Sequence, residues 1–299
     1  VSCIQHPETG RELTYGTLAP APQRKKVMVI GGGPAGMKAA ITAAKRGHAV
    51  TLYEAAAQLG GQALLAQLIP GRAEFGGIVT NLAREMELAQ VAVRRGVRVD
   101  AALVASEAPD AVILASGGVP YVPELQTDGA MQIVTAWQVL RKEVKVGAKV
   151  VVADWRCDWI GPGIAQLLAR EGCTVDLAEN GLVPGETLPL YVRDNIAAEL
   201  HRAEIKVTNY ARLFGSDGDT VFLQHTASAA PIMIEAVDTL GLCLGHTPVS
   251  DLESALRGGS SLAQTGANDQ RHGHSQPMAD RDRPAAGRPR RVARSFRLR

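Results

Sequence analysis

Residues 26–54 read KVMVIGGGPAGMKAAITAAKRGHAVTLYE, and this stretch contains every part of a βαβ unit that holds the ADP half of a dinucleotide. Val27 to Ile30 is short, apolar and β-branched, as a strand buried on both faces requires. Gly31, Gly33 and Gly36 follow at G-x-G-x-x-G spacing. The first allows a tight turn, the second lets the backbone approach a pyrophosphate, and the third lets a helix lie close to the sheet. Pro34 and Ala35 open that helix. A proline suits its first turn because the missing N–H would have no partner there, and the dipole and free amides of the turn face the anion. Lys45-Arg46-Gly47 gives the helix a cationic end and a glycine stop. Ala49 to Tyr53 is the second strand. Glu54 stands at its end, 18 residues after Gly36, where a carboxylate can accept both ribose hydroxyls of an adenosine.

At 299 residues the chain has room for about two domains of ordinary size. Charged residues make up 21% and apolar residues 46%, which fits a globular chain. No apolar run is long enough to span a bilayer, and nothing near the N-terminus reads as a signal peptide. Cys3, Cys157, Cys173 and Cys243 are scattered without a C-x-x-C pair. This argues against a zinc site or a redox-active disulfide and for a reducing, cytoplasmic location. The net charge of +2 hides an asymmetry, because residues 281–299 hold eight arginines against the single Asp282. From 258 onward large apolar residues are scarce, so residues 258–299 are expected to form a disordered basic tail. No nucleic-acid motif accompanies it, and no nucleic-acid or membrane partner is expected. The chain begins with Val, which fits a fragment or a non-standard start.

Four segments follow from the pattern: a linker over 1–25, a first unit over 26–145, a second over 146–257 and the tail. In the first unit, Leu59-Gly60-Gly61-Gln62 is a glycine turn opening an apolar helical stretch. Residues 74–95 have helical spacing with Ile78, Leu82, Met86 and Leu88 on one side. Val97 to Val99 reads as a strand, and so does Ala111 to Ala115, which ends in Ser116-Gly117-Gly118 and Pro120. In the second unit, strands are expected at Lys149–Ala153, Thr174–Ala178 and Ile205–Val207. Helices are expected at Gly163–Arg170 and over 191–203, followed by hairpin-like strands at Val221–His225 and Pro231–Ala236. Asp238 to Leu244, then Gly245-His246-Thr247-Pro248, repeats the strand, glycine and proline order of residues 111–120. The fold class is therefore α/β, with two tandem Rossmann-like, FAD/NAD(P)-type units on parallel sheets. His201, His225 and His246 read as surface or loop histidines, since no nucleophile or carboxylate is spaced to match them.

The glycine unit, the Leu59–Gln62 turn, Ile69-Pro70-Gly71-Arg72 and Ala115-Ser116-Gly117 resemble the C-terminal half of the multidomain NADH:flavin oxidoreductases. That family includes trimethylamine dehydrogenase, 2,4-dienoyl-CoA reductase and related N-demethylases. The resemblance covers about residues 1–257, and Asp154-Trp155-Arg156 with the helix from Tyr191 is most like the amine-demethylating branch. It implies an FAD-binding domain, or one with ADP in its place, that serves electron transfer. FMN and a four-iron four-sulfur cluster are expected only in the full-length family protein. Carried over by motif, Gly31, Gly33, Pro34, Ala35 and Gly36 would face the pyrophosphate and Glu54 the ribose. Gly61 and Gln62 would line the inner part of the cofactor, with Arg72 near a phosphate and Val99 offering backbone groups to the adenine. Ala115 and Gly117 would complete the wall. Cys3 would be one ligand of an incomplete iron–sulfur site, which needs about four thiolates.

The chain departs from the family pattern in three places. No FMN barrel is encoded, so an FMN-barrel or electron-transfer partner is expected to be separate. Where a nicotinamide-binding member would have a second glycine loop, this chain has Ala153-Asp154-Trp155-Arg156-Cys157-Asp158-Trp159-Ile160-Gly161-Pro162-Gly163. Bulky Trp155 and Trp159 would block a pyrophosphate and Asp154 and Asp158 would repel it, so NAD(P)H is disfavoured there. After Leu256 no strand with a Gly-Asp motif returns to the first unit, so weaker flavin binding is expected, with the adenine end surviving. Two alternatives stay open: a non-catalytic nucleotide-binding or assembly module, and a stand-alone NAD(P)H-dependent flavoprotein reductase.

Overall fold

The first sheet follows from strand alternation. The computed structural model describes Cys3 and residues 6–257; the tail expected over 258–299 lies outside the described residues. In β1 (Lys26–Ile30), Val27 and Val29 face one core with Met37 and Ile41 of α2 (Pro34–Lys45). Met28 and Ile30 face the opposite core. Burial on both faces is why the strand reads as an unbroken apolar run. β2 (Ala49–Glu54), β3 (Ala92–Arg95) and β4 (Ala111–Leu114) complete a parallel sheet in the order β3-β2-β1-β4. A short α3 (Ala63–Ala66) and α4 (Phe75–Leu88) follow β2, and α5 (Ala101–Glu107) precedes β4. In the segment before the sheet, α1 (Glu12–Tyr15) buries no residue. This segment is nonetheless tied down: Glu8 pairs with Lys38 at 3.4 Å, and Ala21 N–H donates to the Arg46 carbonyl.

Two local readings are corrected. The helical spacing over 74–95 holds only to Leu88, because Gln90 takes φ +56 and ends the helix. The strand then comes at Ala92–Arg95, not at Val97–Val99. Leu88 is exposed, while Ile78, Leu82 and Met86 are buried. Val97 and Val99 instead pack on the second core just before α5, whose N-cap Asp100 accepts from Leu103 N–H.

β5 (Gly118–Pro120) leads into the second unit, where β6 (Gln126–Thr127), β7 (Gln132–Thr135) and α6 (Ala136–Leu140) come first. β8 (Lys149–Asp154), α7 (Ile160–Arg170), β9 (Thr174–Glu179), α8 (Leu190–Arg202) and β10 (Lys206–Thr208) form its βαβ core. β11 (Ala211–Asp217), β12 (Thr220–His225) and β13 (Pro231–Ile234) make an antiparallel layer with β6 at its edge. β14 (Thr239–Cys243) then enters the parallel sheet, whose order is β10-β9-β8-β14-β7. β8 again alternates: Val150 and Val152 face the helices, Val151 and Ala153 the antiparallel layer. β11 is one of the strands that sequence patterning missed, with β5, β6, β7 and the strand at His246–Pro248. Its core-facing Ala211 and Leu213 are followed by a bulge between Leu213 and Gly215, which breaks the period of two.

The boundary expected at 145/146 does not coincide with the sheets, because β6, β7 and α6 all pair or pack with the second unit. The second unit is inserted into the first. β15 (His246–Pro248) pairs antiparallel with β5, and α9 (Asp251–Arg257) then places Leu252 and Leu256 on the first unit's core. The chain thus returns to the first unit as a helix; the place after Leu256 where the family pattern has a Gly-Asp strand lies outside the described residues. No helix among the described residues is long and apolar enough to cross a membrane.

Met86 is 1% exposed and Leu88 69%, so the two positions should respond very differently to truncation. Met86→Ala is expected to cost about 2–5 kcal/mol through the cavity it leaves. Leu88→Ala should stay within about 0.5 kcal/mol of the parent. Urea unfolding of the two variants checks the corrected helix face.

Candidate functional site

The glycine turn sits at the C-terminal end of β1. Gly31 takes φ +111, and its N–H continues the sheet by donating to the Tyr53 carbonyl at 2.8 Å. A Cβ on Gly31 would overlap the Ala115 carbonyl, and one on Gly36 would overlap the Gly31 carbonyl. These two glycines are required by the protein's own packing. Gly33 differs, because a Cβ there would meet no described atom within 4 Å. Gly33 is also the N-cap of α2 and offers no side chain to the first-turn amides, which are left for an external acceptor. Open space in front of unpaired amides fits the close approach of a pyrophosphate.

Glu54 reaches back over this turn. Its Oε2 accepts from Gly32 N–H and its Oε1 from Ala56 N–H, both at 2.6 Å. The carboxylate therefore ties the glycine turn to the end of β2, and each oxygen keeps a further lone pair for a hydroxyl. The Leu59–Gln62 turn covers the other side. Gly60 N–H donates to the Gly32 carbonyl at 2.9 Å, and Gln62 Nε2 donates to the Gly118 carbonyl at 3.2 Å.

These groups open onto a cleft of about 1460 Å³. Gly31, Gly33, Pro34, Ala35, Glu54, Gly61, Gln62, Val99, Ala115 and Gly117 all line it. Gly36 lies behind the wall, buried against Gly31. Arg72 is elsewhere, in a separate cavity of about 510 Å³ between the Ile69–Arg72 loop and helices α7 and α8. There its guanidinium lies 5.4 Å from the centroid of Trp159. The Ile69–Arg72 motif thus meets the second unit, and a Cβ on Gly163 would run into Ile69. Cys3 is exposed with a free thiol, and among the described residues no group of three or more His, Cys, Asp or Glu side chains could hold a metal ion.

The cleft continues onto the second unit through Trp137, Arg141, Arg156, Asp158, Trp159 and His246. His246 is no plain loop histidine: its Nε2 accepts from Trp137 Nε1 at 3.2 Å, and burial, then the Arg156 charge, lowers its pKa. The repeated strand, glycine and proline order at 238–248 was the signal that could have found it, since the repeat makes β15 the partner of β5. Trp159 stacks on Phe75 of the first unit, with centroids 5.3 Å apart and planes 12° apart. Trp155 and Asp154 do not line the cleft; Trp155 packs beneath the antiparallel layer and Asp154 is fully buried.

The two kinds of glycine separate in a simple experiment. Gly31→Ala should lower stability, because its φ and its contact with Ala115 both exclude a side chain. Gly33→Ala should unfold within about 1 kcal/mol of the parent, the difference between glycine and alanine at an N-cap. It should nevertheless lose adenine-dinucleotide binding. Thermal melts and a ligand titration on both variants check the pair.

The profile of the pyridine nucleotide-disulphide oxidoreductase family matches residues 25–259. An N,N-dimethylglycine/sarcosine dehydrogenase of Chromohalobacter salexigens is 38% identical over 223 residues, which cover 70% of this chain and 31% of that protein. An NADH oxidase of Thermoanaerobacter brockii is 42% identical over 181 residues, 59% of this chain and 28% of that protein. Histamine dehydrogenase from Rhizobium sp. 4-9 superposes with a TM-score of 0.79 at 22% identity, over 86% of this chain and 42% of that one, and shares the fold. The chain spans less than a third of the length of these two curated relatives. With its nested parallel sheets and its glycine turn, the chain belongs to the pyridine nucleotide-disulphide oxidoreductase family, as an FAD/NAD-type dinucleotide-binding domain related to amine dehydrogenases, demethylases and reductases.

Proposed function

We propose that the chain is the FAD- or ADP-binding portion of an FMN/iron–sulfur oxidoreductase of the amine dehydrogenase and demethylase type, and that it serves electron transfer. The observation that carries this reading is the open face of Gly33 beside Glu54, in a cleft long enough to run on past Gln62 and Gly117. The first-turn amides of α2 would hold the pyrophosphate, and Glu54 would orient the ribose while keeping Gly32 in place. Val99 would offer its backbone to the adenine. Gly61, Gln62, Ala115 and Gly117 would shape the inner wall and exclude water from it. A bound flavin would supply the one- and two-electron chemistry. Substrate recognition would belong to an FMN-bearing partner, with Cys3 on the segment that faces it. Four free thiols fit a reducing cytoplasm.

The purified chain should take up FAD, ADP or both on titration, followed by absorbance for the flavin and by chromatography of the released nucleotide. Glu54→Gln should weaken that uptake about 10-fold, the worth of a charged hydrogen bond to the ribose. No uptake of either nucleotide by a folded chain would overturn the reading. Oxidation of NADH with an artificial acceptor, faster than with free flavin, would move it to a stand-alone reductase. The 42% identity to an NADH oxidase makes that arm worth running.

A further inference from the structure

The second unit carries its own acidic residue at the end of its second strand, and the structure gives it a different fate. One position beyond the Ile30–Tyr53 pair of the first unit, Gly31 lies level with Glu54. In the second unit the corresponding register pair is Asp154 with Glu179. Asp154 therefore stands where the first glycine of a nucleotide loop would be. Both carboxyls are 0% exposed. Asp154 Oδ1 accepts from Arg156 N–H at 2.8 Å and Cys157 N–H at 3.1 Å. Asp154 Oδ2 and both oxygens of Glu179 meet no N–H or O–H donor among the described residues, and Glu179 has only the Cys157 thiol to draw on.

Three acceptor atoms with no better donor than one thiol, on neighbouring parallel strands in a dry interior, cannot carry two negative charges at tolerable cost. The surroundings offer little relief beyond the Cys157 thiol and the two loop amides. Asp158 of the same loop and Glu186 beyond β9 add repulsion, and Cys157 and Cys243 are buried thiols. Asn180 Oδ1 is itself an orphaned acceptor. Arg156 pairs with Asp158 at 3.7 Å and faces His246 on β15. Gly161 and Gly181 show how tightly the pocket is sealed: a Cβ on the first would overlap the Asp154 carboxyl, and one on the second would overlap Glu186.

We propose that Asp154 and Glu179 share one buried proton, and that this proton keeps the β8–α7 loop folded over the second unit's nucleotide position with Trp159 held against Phe75. The loop is short: Asp154 anchors Arg156 and Cys157, Asp158 Oδ1 accepts from Ile160 N–H at 2.8 Å, and Trp159 is the N-cap of α7. Ionising both carboxyls would set Glu179 against Asp154, which the two loop amides hold more tightly when charged, and the repulsion would strain the loop and loosen the Trp159 stack that joins the two units. The second unit thereby spends its nucleotide position on an internal, pH-sensitive clasp. This is a disagreement with the pyridine nucleotide that the family implies, and it stands whether or not the first unit binds FAD or ADP.

Burial raises the Glu179 carboxyl to about 8, against the pull of the Cys157 thiol, with Asp158 and Glu186 raising it further. Burial raises Asp154 as well, followed by repulsion from Glu179. The sign follows from linkage. A folded pKa above the unfolded value gives stability that is complete below about 4.5 and is lost as pH rises to about 8, with the unfolding constant rising up to about tenfold per pH unit for one proton. Melting the full chain between pH 5 and 9 tests this. The parent should lose stability over that window, whereas Glu179→Gln or Asp154→Asn should lose much of that slope. Tryptophan fluorescence of the parent should change over the same window, and the change should be absent in Trp159→Phe. An equal slope in parent and variants, or an unchanged fluorescence transition without Trp159, would overturn the proposal. Should neither amide variant fold, the infrared carbonyl band of a buried carboxylic acid in the parent decides. Its presence at pH 7 and loss by pH 9 support the shared proton, and its absence at pH 7 refutes it.

Discussion

The close contact among Gly31, Gly36 and Ala115 is the constraint on which the first unit depends. The Gly31 carbonyl lies where a side chain on Gly36 would be, and the Ala115 carbonyl lies where one on Gly31 would be. Only with both side chains reduced to hydrogen can α2 settle on the end of β1 while β4 runs past on the other side. That settling aims the helix N-terminus into the cleft and brings Gly32 within reach of Glu54. The placing of the helix N-terminus and of Gly32 at the cleft thus results from how helix, strand and neighbouring strand pack.

Much of this was legible in the sequence because the relevant signals are local. Lys26 to Glu54 carries strand, turn, helix and strand within 29 residues, and each part is dictated by steric rules that act over a few positions. The helix at 75–88 was legible for the same reason, but its end was not, since nothing in the pattern marks Gln90 as the residue that turns left-handed. β11 escaped because a bulge interrupts its alternation. The place of 126–145 escaped for a deeper reason: strands β6 and β7 are short, and only their long-range partners, β11 and β14, reveal which sheet owns them. Arg72 shows the same limit at the site. Its motif is local, but its neighbour Trp159 is brought to it by the tertiary fold.

The two units use one topology for opposite ends. Each ends its second strand in a glutamate level with the start of the following loop. In the first unit that position is glycine, so Glu54 has backbone amides to bind and a cleft to face. In the second it is Asp154, and the carboxyl of Glu179 is enclosed with it. The first position faces a cleft and the second is enclosed, and the two differ in the residue at the strand end, glycine against aspartate. Glycines at 161 and 163 then serve packing, against Asp154 and Ile69.

The nesting of one unit within the other also orders how the molecule can be made. Leu252 and Leu256 complete the core beneath β1 and β4, yet they leave the ribosome only after all of β6 to β15. The half that is translated first is therefore the half that finishes folding last. While the inserted half emerges, the apolar surface around Val104 and Val112 stays uncovered until Leu252 and Leu256 dock on it.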